Sequence, residues 1–436
     1  MTVASDFNIW WGLFGLLPLV IYVVLVFRDV DPLPATVICV VIGAIISGQT
    51  FVSFGNVMAK SMGSFLALVG LIIMLGRGLG EVLTATKVSH TIVHKIIYGI
   101  GVDTEKKAML GIMLSCMVVI GLLGTMAGGN AILAPIVLPI AAAVGLSRST
   151  VGVIFQAVGE EALILGPFTP PVVTLLGLTK INYGDMLLFV SGPIVLISMT
   201  ATWFMLQRIQ KQTKDSDAYV RQEGLERFVP TAENKRATFA FISLFLVAVI
   251  YGIVIKAATS FIIIVMLVLA IMTGLVGGLK FNHILNLIVK GMAGNVGLFL
   301  LFLILEPFIL FIEQSGGFQA LAVILGPLVE VGGKSAVVLT GGLIGAFGIS
   351  GATVAELKML HEMFLPMLNQ YGVSMLAWSV ALVIATRVTN FIYPGANMFS
   401  SMGFAESKNV KYMIKNGVVI ALCQTIFLFI YAMLMA

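Results

Sequence analysis

Charged side chains are scarce in this 436-residue chain. Asp, Glu, Lys and Arg together make up 10% of it, whereas a water-soluble domain carries about 25%. Hydrophobic residues make up 59%, and the mean hydropathy is +1.08. These values exclude a water-soluble globular protein. The formal net charge of +5 requires no nucleic-acid partner, because basic loops that orient a protein in the membrane account for it.

Cysteine and the common catalytic motifs are also rare or missing. Cys39, Cys116 and Cys423 lie far apart in apolar segments without CxxC spacing, so we expect them to pack rather than to bind metal. The sequence contains no GxxxxGK[ST] phosphate loop, no HExxH and no Ser-His-Asp arrangement on loops. We therefore expect neither an enzyme nor an ATP-driven pump, and no bound cofactor.

Long apolar runs, in contrast, recur throughout the chain. Each is near the roughly 20 residues that a helix needs to cross a bilayer. The first run lacks a basic n-region and a small-residue cleavage site, so we expect a retained helix rather than a signal peptide. The sequence predicts an all-α polytopic membrane protein with helices over Ile9–Phe27, Leu33–Ile46, Ser64–Gly80, Met109–Leu123, Met186–Met205, Thr238–Ile255, Phe261–Val276, Val296–Ile312 and Val418–Met435.

The longest polar segment, residues 207–237, divides the chain nearly in half. Shifting the first half by 227 residues aligns its apolar runs with those of the second half, and helix-breaking residues then coincide. The matched residues are Gly121 with Gly348, Gly124 with Gly351, Pro139 with Pro366, Gly145 with Gly372 and Pro167 with Pro394. The sequence thus predicts two repeats, residues 1–206 and 238–436, joined by a cytoplasmic linker, 207–237.

Each repeat is predicted to contain about five membrane crossings plus a re-entrant hairpin and a broken helix. A hairpin leaves the parity of the crossings unchanged, so the odd number inverts the second repeat relative to the first. Inverted repeats are typical of secondary transporters. With the linker in the cytoplasm, most basic loop residues fall on the cytoplasmic side. Both termini are therefore predicted to be periplasmic.

Four segments interrupt regular helix within the apolar part of the chain: 121–135, 159–173, 345–357 and 384–401. Hydrocarbon cannot hydrogen-bond a freed N–H or C=O, so irregular backbone at membrane depth is tolerated only inside protein or beside a polar cavity. The segment 159–173, "GEEALILGPFTPPVV", also carries two adjacent carboxylates, Glu160 and Glu161. These breaks are the predicted site of binding.

Charges within or beside apolar runs are the second indication of a site, because an ionisable group there is costly. Under the 227-residue shift Glu160 coincides with Arg387. Three hypotheses stay open: a structural salt bridge, an arginine that binds a substrate carboxylate bidentately, or a glutamate that carries the coupled proton. Arg77 and Glu81, four residues apart, are predicted to pair with each other. The full set is Arg77, Glu81, Glu160, Glu161, Glu306, Glu356 and Arg387.

Hydroxyl and amide side chains cluster at the same breaks. Neutral oxygens beside unwound backbone suit a dehydrated Na⁺, and hydroxyl and amide donors suit a carboxylate. Any single Ser or Thr is more often bonded to its own helix. The prediction of a binding site therefore rests on the clustering of these residues at the breaks and not on any one of them. The clustered residues are Thr125, Asn130 and Thr169 in the first half and Ser350, Thr353, Thr386, Thr389, Asn390 and Asn397 in the second.

The segments "ILAPIVLPIAAAVGLSRSTVGVIFQAVGEEALILGPFTPPVVTLLGL" and "TRVTNFIYPGANMFSSMGFAESKNVKYMIK" resemble the hairpin and broken-helix elements of the ion transporter superfamily. This group includes gluconate, citrate and dicarboxylate permeases, membrane subunits of tripartite periplasmic transporters and some sodium/proton antiporters. The resemblance implies a homodimer with a fixed scaffold and a transport domain that moves like an elevator. It places the binding site at Thr125–Asn130, Gly166–Pro171, Ser350–Thr353 and Pro394–Asn397, with Na⁺ near Gly124, Gly166, Gly351 and Pro394.

The sequence thus predicts a secondary transporter in a bacterial inner membrane that moves a small organic anion, a carboxylate, together with Na⁺ or H⁺. The alternative is a Na⁺/H⁺ antiporter without an organic substrate. In both hypotheses Glu160 and Glu161 are the candidates for ion coupling. The predicted substrate-binding residues are Thr125, Gly128, Asn130, Thr169, Pro170, Ser350, Thr353, Arg387, Asn390 and Asn397.

Overall fold

The computed structural model describes residues 8–28, 30–219, 228–255, 257, 259–346 and 353–435. Within these ranges the named elements are all helices, and one isolated β-bridge joins Ser147 to Ala218. The chain is an all-α polytopic membrane protein, as predicted. Nine segments of the described ranges are long and apolar enough to cross a membrane: Ile9–Val26, Phe65–Ala85, Glu105–Leu123, Met126–Val144, Tyr183–Thr213, Ala232–Val254, Val296–Gln314, Met375–Ile392 and Val410–Leu434.

The helices of the first half follow the predicted runs closely. The first run turns at Leu16, just before Pro18, and the last contains a π-helical turn at Leu187–Ser191 between two α-helices. The helices are α1 (Ile9–Gly15), α2 (Leu17–Phe27), α3 (Pro32–Ile46), α4 (Phe51–Ser61), α5 (Phe65–Ala85), α6 (Val88–Ile100), α7 (Glu105–Leu123), α8 (Met126–Val144), α9 (Arg148–Ala162), α10 (Pro170–Thr179), α11 (Tyr183–Met186) and α12 (Gly192–Thr213).

The second half contains nine helices in its described residues. The helix α17 bends at Gly333, whose φ of +58° and ψ of −142° are not helical. The helices are α13 (Ala232–Val254), α14 (Phe261–Val276), α15 (Phe281–Ala293), α16 (Val296–Gln314), α17 (Gly317–Gly345), α18 (Thr353–Tyr371), α19 (Met375–Ile392), α20 (Ala396–Phe404) and α21 (Val410–Met435).

The bounds of these helices follow the 227-residue shift. Both ends of α18 lie 227 positions after those of α8, and α19 begins 227 positions after α9. The hairpin predicted at 121–135 is a helix–turn–helix, α7 to α8, that turns at Gly124 and Thr125. The predicted counterpart, 345–357, includes residues 347–352, which lie outside the described residues.

The two breaks with prolines are also where the sequence predicted them. Helix α9 ends at Ala162 and α10 begins at Pro170, while α19 ends at Ile392 and α20 begins at Ala396. Proline has no backbone N–H and clashes with the preceding turn, so Pro167 in the first break and Pro394 in the second prevent a continuous helix. Proline at the first helical position is compatible with a new start, which is where Pro170 lies.

The segment assigned to the linker is more helical than predicted. Helix α12 continues to Thr213 and α13 begins at Ala232, so both helices extend into residues 207–237. The extension of α12 is stabilised from inside the protein, because Thr213 and Gln210 are buried and hydrogen-bond to the turn before α9. Residues 220–227 lie outside the described residues.

The helices pack in two groups. One consists of α3, α4, α5, α14, α15 and α16, and the other contains α7–α9, α12 and α17–α21. In the first group α5 and α15 approach closely through glycines, since a Cβ on Gly291 would lie 2.6 Å from the carbonyl oxygen of Arg77. In the second group α9 and α19 are the most enclosed helices, with every residue from Ser149 to Ala162 buried. The break after α9 therefore lies largely in the protein interior, whereas Tyr393 and Pro394 in the break after α19 are exposed.

Candidate functional site

The centre of the candidate site is an ion pair between the two broken helices. Arg387 Nη1, on α19, lies 2.6 Å from Glu160 Oε2, on α9, and both side chains are fully buried. The same nitrogen also donates to the backbone oxygen of Glu160 at 3.1 Å. These residues are separated by 227 positions, so they are equivalent residues of the two halves. A direct contact between equivalents is what a two-fold axis passing between them would produce.

Three further predicted residues complete a hydrogen-bond network around this pair. Asn397 Nδ2 donates to Glu160 Oε1 at 2.9 Å, and Asn390 Nδ2 donates to Oε2 at 3.4 Å. Thr353 Oγ1 accepts from Arg387 Nη2 at 3.0 Å and from Asn390 Nδ2 at 3.2 Å. Both carboxylate oxygens of Glu160 therefore have donors, as a buried charge requires.

A cavity of about 400 Å³ lies between the two groups of helices and reaches this network. Its remaining walls are largely apolar residues of α3, α5 and α16. Six residues at positions that the sequence assigned to the site line it: Gly124, Glu160, Pro170, Pro171, Thr353 and Asn397. The structure thus brings the hairpin tip, both broken helices and the start of α18 to one cavity.

A larger cavity, of about 640 Å³, lies on the other side of the first break. Pro167, Lys180 and Asp185 contribute to its lining, together with residues of α13 and α14. Pro167 and Phe168 of the predicted segment Gly166–Pro171 line it, but among the described residues none of those predicted individually to bind substrate does. The smaller cavity is therefore the better candidate for a binding site.

The polar side chain in the first break is hydrogen-bonded to the backbone of the break itself. Thr169 Oγ1 donates to the carbonyl oxygens of Leu163 at 2.5 Å and Gly166 at 2.8 Å. Thr169 was predicted to bind substrate, but its hydroxyl is engaged with the unwound backbone that precedes α10. Gly166 in turn lies directly against the end of α7, because a Cβ there would be 2.1 Å from the carbonyl oxygen of Gly121.

We expect Gly166→Ala to destabilise the protein strongly, because the added methyl group must displace the backbone of α7. An overpacked core position typically costs about 1–3 kcal/mol. Gly55→Ala on α4 is the matched control, since nothing lies within 4 Å of the position that its Cβ would take. The melting temperatures of both variants in detergent test this expectation. Equal melting temperatures would show that the contact at Gly166 is not tight.

The remaining predicted residues do not join the network around Glu160. Asn130 donates to Ser401 Oγ at 3.1 Å where α8 meets α20, and its Oδ1 has no hydrogen-bond partner among the described residues. Thr125 is the N-cap residue of α8 but makes no capping hydrogen bond, and Gly128 lies against it. Ser350 and Gly351 lie outside the described residues.

Of the four positions suggested for Na⁺, Gly124 and Gly166 both lie where the hairpin tip meets the first break. Pro394 lies in the second break, between α19 and α20. In the part of the chain that the structure describes, no group of three or more His, Cys, Asp or Glu side chains could hold a metal ion. Any Na⁺ held at these breaks would need neutral oxygens of the backbone and of hydroxyl or amide side chains.

Glu161 lies in a different environment from its neighbour. It is fully buried, yet no Lys or Arg among the described residues lies within 4.0 Å of its carboxylate. Gln424 Nε2, on α21, donates to Glu161 Oε1 at 2.9 Å, while Oε2 has no hydrogen-bond partner in the part of the chain that the structure describes. The sequence did not suggest Gln424. The one available signal was an isolated amide within the apolar stretch "VVIALCQTIFLFI".

The predicted pairing of Arg77 with Glu81 is wrong. Glu81 instead pairs with Lys290 of α15 at 3.1 Å, and Arg77 Nη1 donates to Asn295 Oδ1 at 3.4 Å. The close packing of α5 on α15 supplies these partners across helices. The i,i+4 rule applies to helices whose faces are free, and a tight helix pair overrides it.

Comparison with known proteins gives one family match and several structural matches. Residues 3–185 match the Na⁺/H⁺ antiporter family. The YdaH transporter of Alcanivorax borkumensis, whose crystal structure was described as having an unusual topology, superposes with a TM-score of 0.64 at 15% identity, covering 87% of this chain and 88% of that one. The fold is that of a membrane transporter. No curated protein matches the sequence.

These matches bear on the predicted family only in part. They support a membrane transporter family, and the fold agrees with the all-α polytopic architecture. The resemblance to the ion transporter superfamily is not confirmed by them, and its more specific implications stay predictions. The matched family is defined by exchange of Na⁺ for H⁺, which is the activity of the alternative hypothesis.

Proposed function

We propose that this protein is a cation/proton antiporter that exchanges Na⁺ for H⁺ across a bacterial inner membrane. The observation that carries the proposal is the different state of the two adjacent carboxylates. Glu160 is bound by Arg387 at 2.6 Å, whereas Glu161 is buried without a cationic partner among the described residues. The match of residues 3–185 to the Na⁺/H⁺ antiporter family supports the same activity.

A buried carboxylate with which no cation pairs directly provides the chemistry for exchange. Its charge is costly in an apolar interior, so it is neutralised by a proton or by a metal cation. A site that accepts one or the other, and opens to one side of the membrane at a time, exchanges them. Coupling follows because the empty, charged site is the state that costs most.

The alternating access that exchange requires is supported by the division of the helices. The cavity next to Glu160 lies between the group around α5 and the group around α9 and α19. We propose that the first group is a scaffold and the second the moving unit, in an elevator-like shift within a homodimer. The proposed orientation is the one that the loop charges predict, with the linker in the cytoplasm and both termini in the periplasm.

A second candidate is symport of a small organic anion. The cavity of about 400 Å³ favours it, because it is larger than Na⁺ needs and reaches Thr353 and Asn397. Arg387 Nη1 already donates to Glu160 and Nη2 to Thr353, whereas Nε has no hydrogen-bond partner among the described residues. An anion could bind bidentately through Nε and Nη2 without displacing Glu160, so the ion pair by itself does not exclude symport.

We expect wild-type protein in liposomes to exchange Na⁺ for H⁺ without any organic solute. In vesicles with an acidic interior, added NaCl should dequench an acridine dye, whereas choline chloride should not. Protein-free liposomes give the background. If Na⁺ leaves the pH gradient unchanged and the same vesicles accumulate a radiolabelled carboxylate with Na⁺ or H⁺, the antiporter proposal is wrong and the second candidate is favoured.

A further inference from the structure

A row of buried polar side chains lies between α12 and α21 and joins the two helices by hydrogen bonds. Gln424 Nε2 on α21 donates to Ser198 Oγ on α12 at 2.9 Å as well as to Glu161. Asn416 Nδ2 on α21 donates to Thr202 Oγ1 on α12 at 3.4 Å. These four residues and Glu161 are all buried to 99% or more. We call the set of Ser198, Thr202, Asn416 and Gln424 the α12–α21 seam. Glu161 lies at one end of it.

Several oxygen atoms along the seam have no hydrogen-bond partner among the described residues. These are Glu161 Oε2, Gln424 Oε1, Asn416 Oδ1 and, in the π-helical turn before α12, Ser191 Oγ. Buried polar groups in native proteins almost always have partners, either protein or ordered water. Unpartnered acceptors at successive positions along one helix pair therefore indicate water molecules between α12 and α21.

Further polar residues of α12 continue from the seam toward the linker. Gln210 accepts from Ser147 N at 3.0 Å and donates to the carbonyl oxygen of Gly145 at 2.9 Å. Thr213 Oγ1 lies 2.7 Å from Ser147 Oγ. These side chains are buried and adjoin the turn that precedes α9. Buried polar side chains thus recur on α12 from Ser198 to Thr213, with the buried Leu206 between Thr202 and Gln210.

The two carboxylates of α9 therefore face two separate polar regions. Glu160 lines the cavity between the helix groups. Glu161 instead contacts the seam through Gln424, and no seam residue lines that cavity. The charged groups that interact with Glu161 are Arg387 on α19 and Glu160 on its own helix, whereas α12 and α21 present neutral groups to it.

We propose that the α12–α21 seam is a hydrated proton path that connects Glu161 with the linker side of the protein. A proton arriving from water on that side passes along waters held by the seam residues. It forms an O–H bond on the Glu161 carboxylate, and the last donor of the chain regains its proton from the water behind it. Release to the linker side reverses these steps, and in the other half of the exchange cycle Glu161 must be open to the opposite side of the membrane. The proposal deepens the proposed antiport and rests on it, since it assigns the proton and the cation different routes.

Thr202→Val tests the path, because valine keeps the volume of threonine but removes the hydroxyl that accepts from Asn416. Thr200→Val is the matched control on the same helix, since Thr200 is exposed and its hydroxyl donates only to Leu196 of its own helix. The first readout is infrared spectroscopy of purified protein. The C=O stretch of protonated Glu161, identified by its loss in Glu161→Gln, should shift on transfer to D₂O.

We expect the rate of this shift to fall by about tenfold in Thr202→Val, or ~1.4 kcal/mol in its barrier, and to be unchanged in Thr200→Val. The rate of Na⁺-driven proton release should fall in parallel, while the Na⁺ concentration at half-maximal rate stays the same. A Ser198→Ala/Thr202→Val double variant should slow both rates further. Equal rates in the double variant and wild type would overturn the proposal.

The two readouts separate the failure of the path from that of the antiport. If wild-type vesicles show no Na⁺/H⁺ exchange, the proposed function is wrong whatever the infrared result. If wild type exchanges Na⁺ for H⁺ but deuteration of Glu161 is equally fast in all seam variants, the antiport stands and the path is wrong. A parallel loss of both rates, confined to seam variants, supports both.

Discussion

Replacing Arg387 by glutamine is expected to lower the free energy of unfolding by about 3–5 kcal/mol, the usual cost of leaving one partner of a buried ion pair uncompensated. Glu160 would keep Asn390 and Asn397 as donors but lose Arg387, its one cationic partner among the described residues. Its buried charge is then neutralised only if a proton or another cation enters. The melting temperature of purified protein in detergent, and the denaturant midpoint, measure this loss.

The double variant Glu160→Gln/Arg387→Gln is the control for this prediction. Two neutral amides remove both charges, so much of the lost stability should return. Glutamine matches the shape of the glutamate but is shorter than the arginine. Glu160→Gln alone should lower the free energy of unfolding about as much as Arg387→Gln does, because it leaves the buried guanidinium charge uncompensated. If Arg387→Gln melts like wild type, the ion pair does not hold the two broken helices together. Binding of an organic anion by Arg387 is then the favoured hypothesis.

The broken helices and their register could be predicted from the sequence because each rests on a strong local cause. Proline removes a backbone donor, and Pro167 and Pro394 each stand beside a glycine, so the sequence marked both segments as breaks. Prolines inside α8, α16 and α18 show that proline alone does not end a helix. The shift of 227 residues aligned these breakers, and the helix bounds follow it. The equivalence of Glu160 and Arg387 under the same shift is what made their contact predictable.

The neighbours of Glu161 could not be predicted in this way. Whether Glu161 faces Arg387 or Gln424 depends on the rotation of α9 and on which helix packs against each of its faces. Gln424 contacts Glu161 across 263 positions, and no repeat or spacing relates these residues. The same reason explains Arg77 and Glu81, whose partners come from the helix α15 and the turn that follows it.

The predicted binding residues divide according to how much they depend on packing. Thr353, Asn390 and Asn397 lie close in sequence to breaks that the sequence marked, and they reach Glu160 or Arg387. Thr169 lies equally close to a break but satisfies exposed carbonyls there. A hydroxyl beside unwound backbone can do either, and only the three-dimensional arrangement decides.

Glu161→Gln is expected to abolish Na⁺/H⁺ exchange, reducing it to the level of protein-free liposomes. The amide has the shape of a protonated carboxyl group and can still accept a hydrogen bond from Gln424, so the variant should fold and melt close to wild type. It cannot release a proton or bind a cation by charge. Dye-based proton flux and ²²Na⁺ uptake, measured in the same vesicles, test both halves of the exchange.

Comparison of Glu161→Gln with Glu160→Gln makes this prediction specific to one carboxylate. Both variants replace a buried glutamate on α9 by the same isostere, but only Glu160→Gln leaves Arg387 unpaired. We therefore expect lost exchange with retained stability at position 161, and lost stability at position 160. Glu161→Asp, which keeps the carboxylate one methylene short of Gln424, should retain part of the exchange. Full exchange in Glu161→Gln would contradict the role of Glu161 and return the coupling to the pair of Glu160 with Arg387.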